Sequence, residues 1–210
     1  MSFAIQDSLL DSGGSPAFAE LGASVERIEL GLGAWLDVRP AWLNGADVVF
    51  EQVRTAVPWA AERRQMYDSV VDVPRLTCFY RTGEPLPLPI LDEARDRLSA
   101  RYREELGEDF RSAGCCLYRD GRDSVAWHGD TIGRGAIEDT MVAILSLGSA
   151  RVLALRPRGG GRSALRVALG HGDLAVMGGS CQRTWEHAIP KTAKAVGPRI
   201  SIQFRPRGVA

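Results

Sequence analysis

Histidine is scarce in this chain. There are three in 210 residues, at positions 128, 171 and 187, so any chemistry that needs imidazole has only these to draw on. Lysine is scarcer still, with two against 24 arginines. The four cysteines, Cys78, Cys115, Cys116 and Cys181, show neither zinc-finger spacing nor a disulfide framework, which points to a reducing, cytoplasmic setting. No run of about 18 apolar residues is present, so no membrane span is expected. The first fifteen residues lack a basic stretch followed by an apolar core, so a secretory signal is not expected either. There is no Gly-x-Ser-x-Gly elbow of the kind a serine hydrolase usually shows. Gly159-Gly160-Gly161 reads as a turn, because no helical pattern follows it as a phosphate loop requires. Internal repeats and low-complexity tracts are absent.

What is present is an ordinary globular composition, 45% hydrophobic and 25% charged, long enough for one sizeable domain. A monomer is expected. Formal net charge is zero but unevenly spread. Residues 1–140 carry 15 Lys+Arg against 24 Asp+Glu, and residues 141–210 carry 11 against 2. The basic C-terminal third suits an anionic partner.

Residues 1–24 are polar, contain Gly and Ser and show little periodicity, so a loosely held arm is expected there. Val25–Leu30 alternates as a strand does. Apolar positions 49, 50, 53 and 57 fall at helical spacing after the Asn44–Asp47 capping region, and Pro58 ends that helix. Trp35, Trp42 and Trp59 read as packing residues. Arg75–Tyr80 is β-rich, Pro85, Pro87 and Pro89 keep the next piece extended, and a charged helix follows over roughly Leu91–Leu106, closed by Gly107. From Ser112 onward the pattern is β throughout: short strands separated by Gly-rich turns, the signature of a sandwich or jelly-roll barrel. The last strand, Arg199–Arg205, alternates strictly and reads as half-buried.

The chemistry concentrates at His128-Gly129-Asp130. On a strand, residues i and i+2 share a face, so His128 and Asp130 could reach one metal, with the third ligand coming from another strand. His171 sits in a Gly-His-Gly-Asp turn and reads as a surface residue, which leaves His187. Two histidines and one carboxylate with open positions suit a non-haem Fe(II) oxygenase, and zinc could use the same ligands. Arg199 and Arg205, six apart on the last strand, share a face and suit a dicarboxylate such as 2-oxoglutarate.

At these residues the chain resembles the AlkB family of Fe(II)- and 2-oxoglutarate-dependent dioxygenases, over roughly residues 74–206. The resemblance is carried by Tyr118 through Asp130, by His171-Gly172-Asp173-Leu174 through Gly179, by Trp185-Glu186-His187, by the Arg199–Arg205 strand and by Pro74 through Tyr80. It implies a double-stranded β-helix (jelly-roll) core of mainly β structure with flanking helices, spanning 111–210. Residues 25–110 would be an N-terminal extension with a substrate lid and supporting helices, the whole of 25–210 forming one structural domain. It implies Fe(II) held by His128, Asp130 and His187, and 2-oxoglutarate held by Tyr118, Arg199, Ser201 and Arg205. With O2, such a site would dealkylate N-alkylated bases of DNA or RNA, releasing formaldehyde, succinate and CO2. Arg75, Tyr80, Trp127 and Ile132 would face the substrate.

The chain departs from the family pattern at four positions. Cys116 stands where an Asn is usual two residues before the tyrosine. Ser201 and Gln203 replace an Asn and a Thr on the last strand. Ile132 stands where repair members usually carry an acidic residue. Two other readings therefore stay open: the same chemistry on a protein side chain or small molecule, and a non-catalytic jelly-roll binding module with a vestigial metal site.

Overall fold

The computed structural model describes residues 15–66 and 69–209, with backbone alone over 63–66 and 69–72. Fourteen strands and three α-helices occur among the described residues. The first part contains β1 (Ala17–Phe18), β2 (Glu26–Gly31), β3 (Ala34–Arg39), β4 (Leu43–Asn44), α1 (Ala46–Ala56), β5 (Ala60–Met66), β6 (Ser69–Tyr80) and α2 (Pro89–Leu106). The second contains β7 (Ser112–Tyr118), β8 (Val125–His128), a 3₁₀ turn (Arg134–Ala136), β9 (Val142–Gly148), β10 (Arg151–Pro157), β11 (Leu165–Leu169), β12 (Asp173–Gly179), α3 (Cys181–Thr184), β13 (Trp185–Ile189) and β14 (Arg199–Arg205).

An antiparallel sheet of eight strands, ordered β2-β3-β12-β9-β14-β7-β6-β5, and one of four, ordered β11-β10-β13-β8, form the two walls of a jelly roll. One face of the large sheet packs on the helices. There α2 contributes Leu91, Ala94, Leu98 and Tyr102 at spacings of three and four, and α1 contributes Val49 and Val53. The opposite face meets the small sheet through Tyr118, Val142, Ile144, Leu153, Leu155 and Trp185, among others. α2 begins at Pro89, two residues before the periodic apolar pattern starts. Proline at the first helical position lacks only an N–H that would be unpaired anyway.

β14 lies near the middle of the large sheet, between β9 and β7. It is not half-buried, as its alternation suggests. All of Arg199–Phe204 is buried. Ile200, Ile202 and Phe204 enter the helix-side core, each worth roughly 1.5–3 kcal/mol of burial. Its polar residues face inward between the sheets, so the alternation separates a dry core from a polar cavity rather than core from solvent.

The other correction lies at the N-terminus. Of the arm expected over 1–24, residues 1–14 lie outside the described residues, and the following segment is packed rather than loose. β1 pairs with β4, Phe18 and Leu21 are buried in the helix-side core, and the Phe18 ring lies 4.4 Å from that of Trp42. Trp42 is fully buried and Trp35 nearly so, as packing residues should be. No helix among the described residues is long and apolar enough to cross a membrane. Phe18→Ala is expected to lower stability by about 3 kcal/mol, read as a lower urea midpoint with unchanged slope. A change within ~0.5 kcal/mol would show that β1 contributes nothing to the core.

Candidate metal centre

His187 lies on β13 directly opposite His128 on β8, and the two imidazole centroids are 4.2 Å apart. A bulge makes this possible. From His187↔His128 to Ile189↔Val125, β13 advances two residues while β8 spans three. In a regular strand Val125 and His128 would face opposite sides. The extra residue turns both toward the cavity, as bulges re-aim side chains elsewhere. The His128 ring is then fixed by a contact of 2.9 Å between Nδ1 and the Ala126 carbonyl.

Asp130 is not on the strand. β8 ends at His128, and the carboxylate comes back from the following loop, with Oδ1 3.7 Å from His128 Nε2. The expected proximity of the pair is therefore present, but strand alternation does not produce it. The loop is set by α3. A Cβ at Gly129 would collide with the Gln182 carbonyl oxygen, so only glycine lets the chain pass. One residue on, the Asp130 N–H donates to Gln182 Oε1 at 2.8 Å. The ligand atoms of His128, Asp130 and His187 all lie within 4.8 Å of one another.

Electrostatics hold Asp130 and His187 in ligand form. Burial alone raises the Asp130 carboxyl, but Arg205, His187 and His128 more than offset it and hold it at about 2. Arg205 Nε donates to Asp130 Oδ2 at 2.7 Å. Burial, reinforced by His128, pushes His187 down to about 3, so it is neutral at pH 7 with a lone pair to offer.

From the triad a cavity of ≈ 70 Å³ runs inward, several times the ~10–15 Å³ that one water needs. Arg205, Gln203, Ser201 and Arg199 line it in β14 order, with Cys116, Tyr118 and Arg75 from the neighbouring strands. At its closed end Arg199 is buried, with its Nε donating to Ser146 Oγ at 3.0 Å. Both Nη atoms are buried without a partner among the described residues. A buried guanidinium with two free donors is costly unless a ligand completes it. Its charge centre lies 5.3 Å from the ring of Tyr118, which is itself buried. A carboxylate entering from the metal end would meet both.

Three of the departures in sequence bind one another. Cys116 Sγ contacts Gln203 Oε1 at 3.8 Å, and Gln203 Nε2 donates to Ser201 Oγ at 2.6 Å. The residues present thus fit Fe(II) at the triad and a dicarboxylate along β14.

A family profile described as "2OG-Fe(II) oxygenase superfamily" matches residues 82–205. The chain belongs to that superfamily. Membership implies Fe(II), 2-oxoglutarate and O2, in agreement with the donor set. Proteins named for AlkB are among its relatives. It is 34% identical over 193 residues to "Alpha-ketoglutarate-dependent dioxygenase alkB homolog 3" of Bos taurus, covering 79% of this chain and 65% of that one. It is 28% identical over 182 residues to "DNA oxidative demethylase ALKBH2" of Bos taurus, covering 76% and 64%. The chain thus spans just under two thirds of the length of these relatives. In fold it resembles "The structure of OsALKBH1", with a TM-score of 0.60 at 13% identity, covering 85% of this chain and all of that one. A 2OG-Fe(II) oxygenase family protein from Burkholderia pseudomallei gives a TM-score of 0.56 at 17% identity, covering 81% and 84%.

The residues expected to face substrate divide. Arg75 lines the cavity. Tyr80 does not, since it packs against the helix-side core. Trp127 lies beneath Arg156, whose charge centre is 4.3 Å from the indole and which pairs with Glu186 at 2.8 Å. Neither ring lines the cavity. Ile132 is 72% exposed on the loop beyond Asp130. His171 is not merely a surface residue, because its Nδ1 accepts the Gly148 N–H at 2.7 Å and pins a turn.

Sequence reasoning missed Phe79, Ser146 and Gln182. Phe79 shares strand parity with Arg75, and a Cβ built on Gly114 would lie 3.6 Å from Phe79, 2.8 Å from Arg205 and 3.1 Å from Gln203. Parity alone would have favoured it over Tyr80. Ser146 is the lone polar residue in an apolar run. Gln182 gives no sequence signal.

Gly129→Ala is expected to weaken Fe(II) binding by about 10–100-fold, as loss of supporting contacts does at other metal sites. Anaerobic titration of the purified variant checks this. Unchanged affinity would mean the Gln182 contact does not set the Asp130 geometry.

Proposed function

We propose that this oxygenase removes alkyl groups oxidatively from the bases of DNA or RNA. The observation that carries the cosubstrate half is buried Arg199, with two unpartnered Nη atoms at the far end of a cavity that opens on His128, Asp130 and His187. The nucleic-acid half is supported by relatives whose names describe DNA demethylation and AlkB homology, and by the basic C-terminal third.

Each residue then has a task. His128, Asp130 and His187 hold Fe(II), and Arg205 keeps Asp130 ionised and aimed. Arg199 takes the distal carboxylate of 2-oxoglutarate in its two free donors, beside the Tyr118 hydroxyl. Ser201 and Gln203 supply polar contacts along the chain between. When bound, Fe(II) would supply O2 activation coupled to decarboxylation of 2-oxoglutarate to succinate and CO2, and with it the oxidation of the N-methyl group to N-hydroxymethyl. The resulting N-hydroxymethyl base releases formaldehyde as its C–N bond breaks, and the hydroxyl proton returns to the ring nitrogen. Phe79, 46% exposed beside Arg205, offers its face to a base turned out of its stack. Arg75 lines the same cavity and suits a polar contact to base or phosphate. The intact donor set argues against a vestigial metal site.

Purified protein with Fe(II), ascorbate, 2-oxoglutarate and methylated oligonucleotides is expected to release formaldehyde and restore the base. His187→Ala should abolish this. Arg199→Gln should raise the KM for 2-oxoglutarate by about 30-fold or more, since truncating one partner of a buried charge pair costs ~2 kcal/mol or more. Formaldehyde from none of the oligonucleotides would sink the nucleic-acid reading, and an unchanged KM would sink the role of Arg199. Phe79→Ala should raise the KM for the oligonucleotide by roughly tenfold, given ~1–3 kcal/mol per stacked base, while Tyr80→Phe changes it little. Steady-state kinetics distinguish the two, and the reverse order would overturn the assignment.

A further inference from the structure

We infer that this site prefers an alkylated base whose ring is uncharged and disfavours one that is cationic at neutral pH. The inference rests on the nucleic-acid reading above and adds the substrate subclass. A methyl group on N1 of adenine or N3 of cytosine makes the base basic enough to be protonated, and so cationic, at neutral pH. A methyl group on N3 of thymine or N1 of guanine replaces a proton and leaves it neutral. Electrostatics can separate the two classes.

The charges facing the cavity are positive. Arg75, Arg199 and Arg205 line it with no glutamate, and Asp130 stands at its mouth already committed to Arg205 at 2.7 Å. The Nε of Arg75 and both Nη of Arg199 are buried without a partner among the described residues. A dianionic cosubstrate brings two negative charges where the metal brings two positive ones, so loading the site leaves the arginine excess in place. A cationic base would enter an environment already short of negative charge, where burying it unpaired is costly.

No described carboxylate on the neighbouring elements is free to correct this. On the loop after Asp130, Glu138 pairs with Arg134 at 2.8 Å and Asp139 pairs with Arg183. Beside His187, Glu186 is taken by Arg156. On β5, Glu62 is held by the Thr77 hydroxyl. The position two residues beyond Asp130 is Ile132, whose side chain is 72% exposed. An aliphatic side chain in water gains by covering an uncharged ring and offers nothing to a cation. The loop is also fixed. Gly133 bridges Val209, the Arg134 N–H donates to the Gly208 carbonyl at 2.9 Å, and the Arg134 side chain pairs with Glu108 and Glu138. Glu138 could not replace Ile132 without breaking that ion pair.

The test uses labelled single-stranded oligonucleotides, each with one N3-methylthymine, N1-methylguanine, N1-methyladenine or N3-methylcytosine, and an unmodified control. Binding to metal-free protein is read by fluorescence anisotropy, and kcat/KM is measured with Fe(II) and 2-oxoglutarate. The neutral pair is expected to exceed the cationic pair by at least tenfold in kcat/KM, with the same order in binding. Ile132→Glu, at an exposed position that does not threaten folding, should shift the ratio toward the cationic pair by about tenfold. Equal or better use of the cationic pair by the natural sequence overturns the inference and leaves the nucleic-acid reading standing. So does an unmoved ratio in Ile132→Glu, as far as Ile132 is concerned. Failure to bind or turn over any methylated oligonucleotide overturns both.

Discussion

Burying a strand on both faces forces its charged residues to find partners inside the protein. β14 is in that position. One face, Ile200, Ile202 and Phe204, is dry core against the helices. The other carries two arginines, a serine and a glutamine into the space between the sheets. Arg205 finds Asp130, and in doing so holds a ligand carboxylate ionised and aimed. Arg199 finds a single serine hydroxyl and keeps two donors in reserve. In the proposed function a cosubstrate removes that deficit. On that reading the cost of an unfinished hydrogen-bond set would become affinity for a carboxylate.

The metal end is assembled differently. Its three ligands come from two neighbouring strands and a loop, and each is positioned by something that is not itself a ligand. The β8 bulge turns His128 inward. Gln182 on α3 holds the backbone of Asp130. The pairing of β13 with β8 places His187 opposite His128. Metal sites depend on such supporting contacts for ligand orientation, and here they come from the small sheet and from α3. The substitutions at 116, 201 and 203 act together in the same way. Their side chains form one chain of contacts, so a thiol, an amide and a hydroxyl jointly line the middle of the cavity.

Ion pairs consume the carboxylates of the loop beyond Asp130 and of β13, while Ile132 and Phe79 are left open to solvent. What the site can bind is therefore decided as much by charges already paired as by those that remain.

Much of this was legible in the sequence. With only three histidines, the choice of ligands was nearly forced once His171 fell in a turn. Strict alternation over Arg199–Arg205 put both arginines on one face, and the Gly-punctuated β pattern after Ser112 required a sheet-on-sheet core. These properties are local, set by the period of two along a strand and by turn chemistry. Tertiary structure decided the rest. It buried β14 on both faces, packed Phe18 where an unpatterned arm was expected, and turned Tyr80 against the helix-side core with Phe79 on the opposite face, near Arg205 and Gln203. It also brought Asp130 to its histidines by a loop instead of a strand. In each case the deciding contact joins residues far apart in the chain, as Gln182 does with Asp130 and Trp42 with Phe18, and a one-dimensional pattern carries no record of what packs against it.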